Sequence, residues 1–506
     1  VQRACKQFVR VKVKTQGASE IAIKADWLRQ WMPITLILLL AAVLYLYHIG
    51  TESLWIDELF SVLDAKELKL NAVRPLYFIL LHVWMLFGTS DAWLRGLGVL
   101  FALGSVFFTY QLGRRVAGEL TGIVAALLLA VLPLFINHAQ EVRMYTLSTF
   151  LCLGGTLILT DVLERPNTAS IGWWAGMRLL AILTTPLNIT LLLPDIVLFG
   201  WRFRHQRRVL LNFGKWLLLL GISCVPTAIG MVFATPGFMS DWVALLPKPG
   251  VFDILFMLAT FTGWTFDPPF KAIAAFYVYI YFKFYALTLL GLLSLALLNK
   301  KNPRLLWVGA WAFLPSAIIF TISRISSSIW VDRYLLFVCP YVLILLAAGF
   351  TQIWRRQRTV AIVLVLVYAL TLSGAIERYY TVQHREDWRS AMQTIAFNEK
   401  PGDIIGLPTN NSRPLLAIAY YYHGSAPLQA IDILAKTDKS SVEQVFRTLP
   451  PIKSRLWLIF RVNPNQKQQL EMFHTAVREQ FNVQQLWTFQ GLELFLVKPF
   501  SAKEVE

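Results

Sequence analysis

Asp57 and Glu58 stand side by side in "SLWIDELFS", residues 53–61, just past the first long uncharged run of the chain. A carboxylate held at such a boundary suits proton abstraction, because burial and neighbouring charge can tune its affinity for a proton. Further along, His138, Glu141 and Arg143 fall within six residues in "HAQEVRMY", with Tyr145 closing the stretch. A third group, Asp332, Arg333 and Tyr334, lies in "WVDRY", residues 330–334. Arg74, before Pro75, and Arg95 are further cations in the same part of the pattern. Guanidinium groups grip phosphate through paired N–H donors. Carboxylates and arginines together fit a phosphate-linked substrate with an apolar tail and a head that meets an acceptor at the membrane surface. His138 and Glu141, three residues apart, offer two ligands to a divalent metal, which by themselves do not make a site. Each group also has a plainer reading. Asp57 and Glu58 suit a hydrated interfacial loop, Glu141 and Arg143 a surface ion pair of small energetic weight, and Asp332 and Arg333 an interfacial anchor.

What must position these residues is a set of membrane helices. Of 506 residues, 56% are hydrophobic and only 15% charged, against roughly 25% charged in soluble domains. Uncharged stretches long enough to span recur: Gln30–Thr51, Gly96–Gly113, Leu120–Gln140, Met144–Thr160, Trp216–Ser240, Leu305–Ser323, Tyr334–Trp354 and Thr359–Ile376. A spanning helix needs about 20 such residues. The net charge of +17 does not point to nucleic acid, because its basic residues gather in short clusters between apolar runs: Arg114-Arg115, "WRFRHQRR", "NKKNPR" and "WRRQR". That is the positive-inside pattern. The tail 1–30, with seven Lys or Arg against two acidic residues by position 29, belongs with them on the cytoplasmic side. The tail lacks a signal-peptide pattern, so the first span reads as retained. Four scattered cysteines make no disulfide or metal framework.

Alternating the chain across a bilayer from that start gives about eleven spans. The first, 31–49, delivers an outer loop, 50–91, whose apolar piece 75–88 is read as an interfacial helix because letting it cross would flip every later basic cluster. Spans then follow at 93–112, 119–136 and 144–162, two shorter ones within 171–201, and others at 214–234, 273–298, 305–322, 334–353 and 359–376. The apolar part of the outer loop 235–271 is too short to cross. Residues 31–376 form the transmembrane domain on this reading. From Glu377 no further span appears. Helical patterns ("REDWRSAMQTIAFNE", "NQKQQLEMFHTAVREQF") alternate with apolar strands ("DIIGL", "RLWLIF", "LELFLV"), which reads as an α/β domain over 377–506, placed outside by parity.

The segments "LWIDELFS", "RPLYFILLHVWMLFGTSDAWLRGLGVLFALGSVFFTYQLGRRVAG" and "PLFINHAQEVRMYTLSTFL", in that order, resemble the dolichyl- or polyprenyl-phosphate-sugar glycosyltransferases of the C-type membrane fold. This branch includes glycosyltransferase family 39, the protein O-mannosyltransferases and the lipid A aminoarabinose transferases. "DRYLLFVCPYVLIL" resembles a late segment of that family, and "REDWRSAMQTI" the entry to the C-terminal domain of bacterial members. The resemblance implies an inverting transferase, with or without a metal. Asp57 would activate the acceptor with Glu58 beside it. Glu141 and Arg143 would lie near the donor with Tyr145 bordering, and Arg333, next to Tyr334, would help bind the lipid phosphate. The family often has a second proline or a lysine where this chain reads "RPL", which leaves Arg74 with a less defined role; between 165 and 325 the likeness is weak.

The implied partners are a polyprenyl-phosphate-linked sugar donor, a lipid, glycan or protein acceptor, and membrane lipids, in a bacterial inner membrane. The main alternative is a transporter or flippase for a lipid-linked or anionic substrate, which would line a path at mid-membrane depth and often shows repeated halves. A non-catalytic assembly or sensor protein is a further alternative.

Overall fold

The computed structural model describes residues 31–68, 74–233, 246–264, 275–408, 413–431, 455–462 and 467–500. The tail 1–30 and parts of the 235–271 loop fall outside them. The chain divides into two compact units. One comprises Val1–Tyr47, Asn71–Tyr77 and Gly96–Glu377; the other comprises His48–Leu70, Phe78–Arg95 and Arg378–Glu506.

The first unit is helical. Its elements in chain order are α1 (Trp31–Leu46), then, after α2 (Ile56–Lys66) and α3 (Pro75–Met85), α4 (Asp91–Ala117), α5 (Glu119–Ala130), α6 (Pro133–Ala139), α7 (Tyr145–Glu164), α8 (Thr168–Thr184), α9 (Leu192–Phe203), α10 (Arg207–Phe233), α11 (Val251–Thr260), α12 (Ala275–Leu297), α13 (Arg304–Ile325), a short turn Asp332–Leu335, α14 (Cys339–Arg356) and α15 (Arg358–Thr381). Among the described residues, six helical segments are long and apolar enough to cross a membrane, or seven if the bent pair α5–α6 counts as one span. This corrects the expected eleven. Two of the expected spans fold as helices shorter than 18 residues, α8 and α9. Uncharged runs overstate span number because they do not register where prolines and turns cut a helix.

Pro133 shows this directly. The expected span 119–136 breaks there, with α5 and α6 bent by 64°. Leu132 adopts an extended backbone and Pro133 opens the next helix, where its missing N–H costs nothing. Between α8 and α9, a short 3-10 element at Pro186–Leu191 does similar work.

The segment Asp332–Arg356 lies mostly buried within the unit, whereas few residues of Arg207–Met231 are buried. An apolar helix so exposed needs lipid as its solvent. Backbones touch at Gly349, where an added Cβ would sit 2.1 Å from the Leu292 carbonyl oxygen; such approach between membrane helices needs small residues. One charged pair is locked inside. Arg178 Nε meets Asp195 Oδ2 at 2.7 Å, and the Trp174 and Trp311 indoles donate to the same carboxylate at 2.9 and 2.8 Å. Arg178 also donates to the Cys152 carbonyl and to Thr156 Oγ1, each at 2.8 Å. Every group of the pair thus meets a counterpart, which is what makes buried charge tolerable.

The second unit contains α2, the later part of α3, the first turn of α4, and an α/β body with α16 (Trp388–Asn398), α17 (Arg413–Tyr421), α18 (Lys467–Gln480) and strands β1 (Ile404–Pro408), β2 (Leu428–Ile431), β3 (Leu456–Arg461), β4 (Phe481–Phe489) and β5 (Leu492–Pro499). The sheet runs β2-β1-β3-β5-β4. β1 is parallel to β2 and β3, while β5 is antiparallel to β3 and β4. Leu458, Phe460 and Phe495 pack with Phe473 and Val477 of α18 as its core. The β4–β5 turn uses Gly491 at φ +69°, a backbone that side chains disfavour.

Candidate functional site

The break at Pro133 sets up the first cluster. It redirects α6 so that Asn137 and His138 come just before the loop to α7. His138 Nδ1 meets Glu141 Oε2 at 2.9 Å, and the Asn137 amide reaches Glu141 Oε1 at 3.4 Å. His138 and Glu141 are each only 5% exposed. His138 Nε2 is buried with no hydrogen-bond partner among the described residues. The adjoining Gln140 amide donates to the carbonyls of Leu44, Tyr45 and Tyr47 at 3.4, 3.0 and 2.7 Å. Those carbonyls belong to the frayed end of α1, where helix acceptors lack internal partners. Gln140 therefore fixes the loop to the exit of the first helix.

Tyr145, the first residue of α7, is the hub of this cluster. The His138 ring lies edge-on to it with centroids 5.0 Å apart, and the Arg143 guanidinium sits 5.8 Å from its ring centroid. Arg143, Arg333, Glu141 and Arg74 all act on its hydroxyl electrostatically. Arg333 rises from the turn that opens at Asp332, whose Oδ1 accepts the Arg333 backbone N–H at 2.7 Å, and its guanidinium lies 5.6 Å from the Tyr334 ring centroid. The Nε atoms of Arg74, Arg143 and Arg333 are withdrawn from water. Residues far apart in sequence thus bring three guanidinium groups and one carboxylate within electrostatic reach of one tyrosine. Among these named groups, three positive charges stand against one negative.

This cluster lies at one end of the helical unit, and the basic clusters lie at the other. There Asn302 donates to the Val116 carbonyl at 2.7 Å, Arg304 pairs with Glu164 at 2.9 Å and Arg115 with Asp161 at 2.7 Å. α7 runs from the Tyr145 cluster to that basic end.

Asp57 and Glu58 belong to the second unit, in the first turn of α2, where the positive helix end favours carboxylates. Their environments differ. Glu58 is fully buried: Arg95 Nε reaches its Oε1 at 3.0 Å and Arg95 Nη2 its Oε2 at 2.9 Å. Oε2 also accepts the Trp55 backbone N–H at 3.1 Å. Arg95 spends its remaining donors on the carbonyls of Ile49, Glu52 and Ser53. The forked pair therefore clamps the loop that precedes α2. Asp57, by contrast, is half-buried.

Several residues that hold this loop escaped the sequence reading. Arg385 Nε lies 3.7 Å from Glu58 Oε2. Ser53 Oγ donates to Asp387 at 3.2 Å and accepts the Arg389 N–H at 3.0 Å. The Tyr421 hydroxyl accepts the Leu54 N–H at 2.7 Å and donates to Asp91 at 2.6 Å, and Asp91 also pairs with Arg389. Burial and the Asp91 charge push the Tyr421 phenol well above its ordinary range, so it remains a donor. The available signal was "HREDWR", whose alternating charges suited a docking segment.

Among the described residues, no three His, Cys, Asp or Glu side chains are grouped to hold a metal. His138 and Glu141 bind one another and bring no third ligand.

No protein-family model matches the sequence, nor does any curated protein. Solved structures do match. The chain is similar to ArnT from Cupriavidus metallidurans bound to undecaprenyl phosphate, with TM-score 0.55, 13% identity, and 92% of this chain and 97% of that chain covered. It is similar to the archaeal oligosaccharyltransferase AglB from Archaeoglobus fulgidus in complex with an inhibitory peptide and a dolichol-phosphate, with TM-score 0.52, 10% identity and coverage of 93% and 74%. An Archaeoglobus fulgidus oligosaccharyltransferase in complex with Zn and sulfate matches at TM-score 0.51, 11% identity and coverage of 92% and 72%. At these identities the likeness is one of fold. The chain has the C-type membrane glycosyltransferase fold.

Proposed function

We propose that this protein is a membrane glycosyltransferase that moves a sugar from a polyprenyl-phosphate-linked donor to a lipid, glycan or protein acceptor. The observation that carries the reading is the gathering of Arg74, Arg143 and Arg333 around Tyr145, in a fold shared with a protein solved with undecaprenyl phosphate. The arginines hold the donor phosphate, and Tyr145 and Tyr334 border it. Glu141 fixes the His138 ring.

The chemistry is one displacement. The acceptor's oxygen or nitrogen attacks the anomeric carbon and forms the new glycosidic bond. The bond from that carbon to the phosphate oxygen breaks, and the electron pair leaves with polyprenyl phosphate. The arginines stabilise the charge developing there. Asp57 takes the acceptor's proton, and the anomeric centre inverts. Glu58, neutralised by Arg95, positions the turn that carries Asp57.

Orientation follows from charge. The end with Arg115 and Arg304 faces the cytoplasm and the Tyr145 cluster faces outward, in a bacterial inner membrane. Reporter fusions after residues 115 and 143 then report opposite sides. A transporter would need charge lining a path through the helices. The buried pair Arg178–Asp195 is instead saturated by Trp174, Trp311 and Thr156, which favours the enzyme.

Asp57→Asn tests the mechanism. Transfer of sugar from donor to membrane acceptors falls on the order of 10²–10⁴-fold, while polyprenyl phosphate still binds. Transfer at the wild-type rate would remove Asp57 as the base.

A further inference from the structure

At the basic end of the helical unit, a groove of about 670 Å³ opens where the C-terminal ends of α12 and α14 meet the start of α15. α12 and α14 touch at Gly349 and are bridged one turn later by the Gln352 amide, which donates to the Leu295 carbonyl at 2.9 Å. The groove wall is apolar, with Gly291 and Leu295 from α12, Leu298 just past its end and Leu364 from α15. Its rim carries Lys300, Lys301 and Arg356.

The rim cations differ from their neighbours. Arg114, Arg115 and Arg304, at the same end, each pair with a carboxylate, Glu119, Asp161 and Glu164 respectively. Lys300, Lys301 and Arg356 line the groove without any acidic residue among its lining, and all three are exposed. Leu295 and Leu298 below them are exposed as well. An uncompensated triple positive charge above an apolar cleft is complementary to an amphiphile with an anionic head.

We infer that this groove binds a phospholipid of the surrounding bilayer through an anionic headgroup. Its phosphate sits among Lys300, Lys301 and Arg356, and one acyl chain lies along Gly291, Leu295 and Leu364. Basic pockets between membrane helices recognise anionic lipids in this way. The site is separate from the Tyr145 cluster, which lies at the opposite end of α7.

The test uses the purified full-length chain titrated with phosphatidylglycerol or phosphatidylcholine, and counts retained lipid by native mass spectrometry. Wild type retains phosphatidylglycerol preferentially. The triple variant Lys300→Ala, Lys301→Ala, Arg356→Ala weakens that binding about a hundredfold, on the order of fivefold per cation. Gly291→Trp tests the groove with the charges intact. An added Cβ there meets no atom within 4 Å, so the indole enters open space and fills the acyl path. This variant also loses the lipid, at an unchanged melting temperature. Equal retention of the two lipids by wild type would overturn the inference, as would full phosphatidylglycerol binding by a folded triple variant or by Gly291→Trp.

Discussion

The two ends of the helical unit are both rich in charge, and they use it in opposite ways. At the basic end the ion pairs are half in water: Arg114 and Glu119 are 34% and 43% exposed, Arg304 and Glu164 45% and 40%. Such pairs contribute little, because solvent screens them and both side chains lose freedom on pairing. At the Tyr145 end His138 and Glu141 are each 5% exposed, and the arginines are half-buried with their Nε atoms out of water. Charge held out of water is costly and persists only with partners or a task. On the proposed reading, one end sets which way the protein lies in a membrane and the other holds the donor. Arg178–Asp195, between them in sequence and fully buried, is a third case, where partners alone explain the charge.

That comparison can be broken in order of effect. Asp195→Asn leaves Arg178 as a buried cation without its counterion and destabilises the protein by about 3–5 kcal/mol; a thermal melt in detergent shows it, and an unchanged melt would mean that the buried pair is not structural. Arg143→Ala lowers sugar transfer on the order of 10²–10³-fold with the melt unchanged; a transfer assay checks it, and a lowered melting temperature with normal transfer would make the Tyr145 end a second structural network.

Acid sharpens the comparison from the α/β body. Asp403 is buried, which alone would raise its pKa, but hydrogen bonds from Arg455 and Trp457 outweigh burial and hold it below the usual carboxylate range. A depressed folded-state value means the carboxylate stabilises the fold above the unfolded range, near pH 4, and loses that contribution as pH falls through the folded value. Melting of wild type therefore drops below about pH 4, and Asp403→Asn flattens that drop. The smallest effect belongs to Arg304→Ala, below about 1 kcal/mol by the same melt.

Much of this was legible in the sequence, for stated reasons. Uncharged runs marked the apolar helices and basic clusters marked one end, because bilayer thickness and charge cost are written in composition. The strands "DIIGL", "RLWLIF" and "LELFLV" appear as β1, β3 and β5. β4 was not legible, because its polar, half-exposed residues mimic a loop. Pairing was least visible. Arg178 and Asp195 blurred the edges of two expected spans, yet they are partners 17 residues apart. Glu58 and Asp57 looked equivalent side by side, and the structure separates them by clamping Glu58 with Arg95. The bend at Pro133 was hidden inside an apolar run, although it is what brings His138 to Glu141.

The most direct test of the account is the binding of undecaprenyl phosphate to the purified full-length chain and its single arginine variants. Arg143→Ala and Arg333→Ala each weaken binding tenfold or more, on the order of a lost charged hydrogen bond, and Arg304→Ala binds as wild type. If all three variants bind alike, the guanidinium groups around Tyr145 do not hold the lipid phosphate, and the proposed function loses its support.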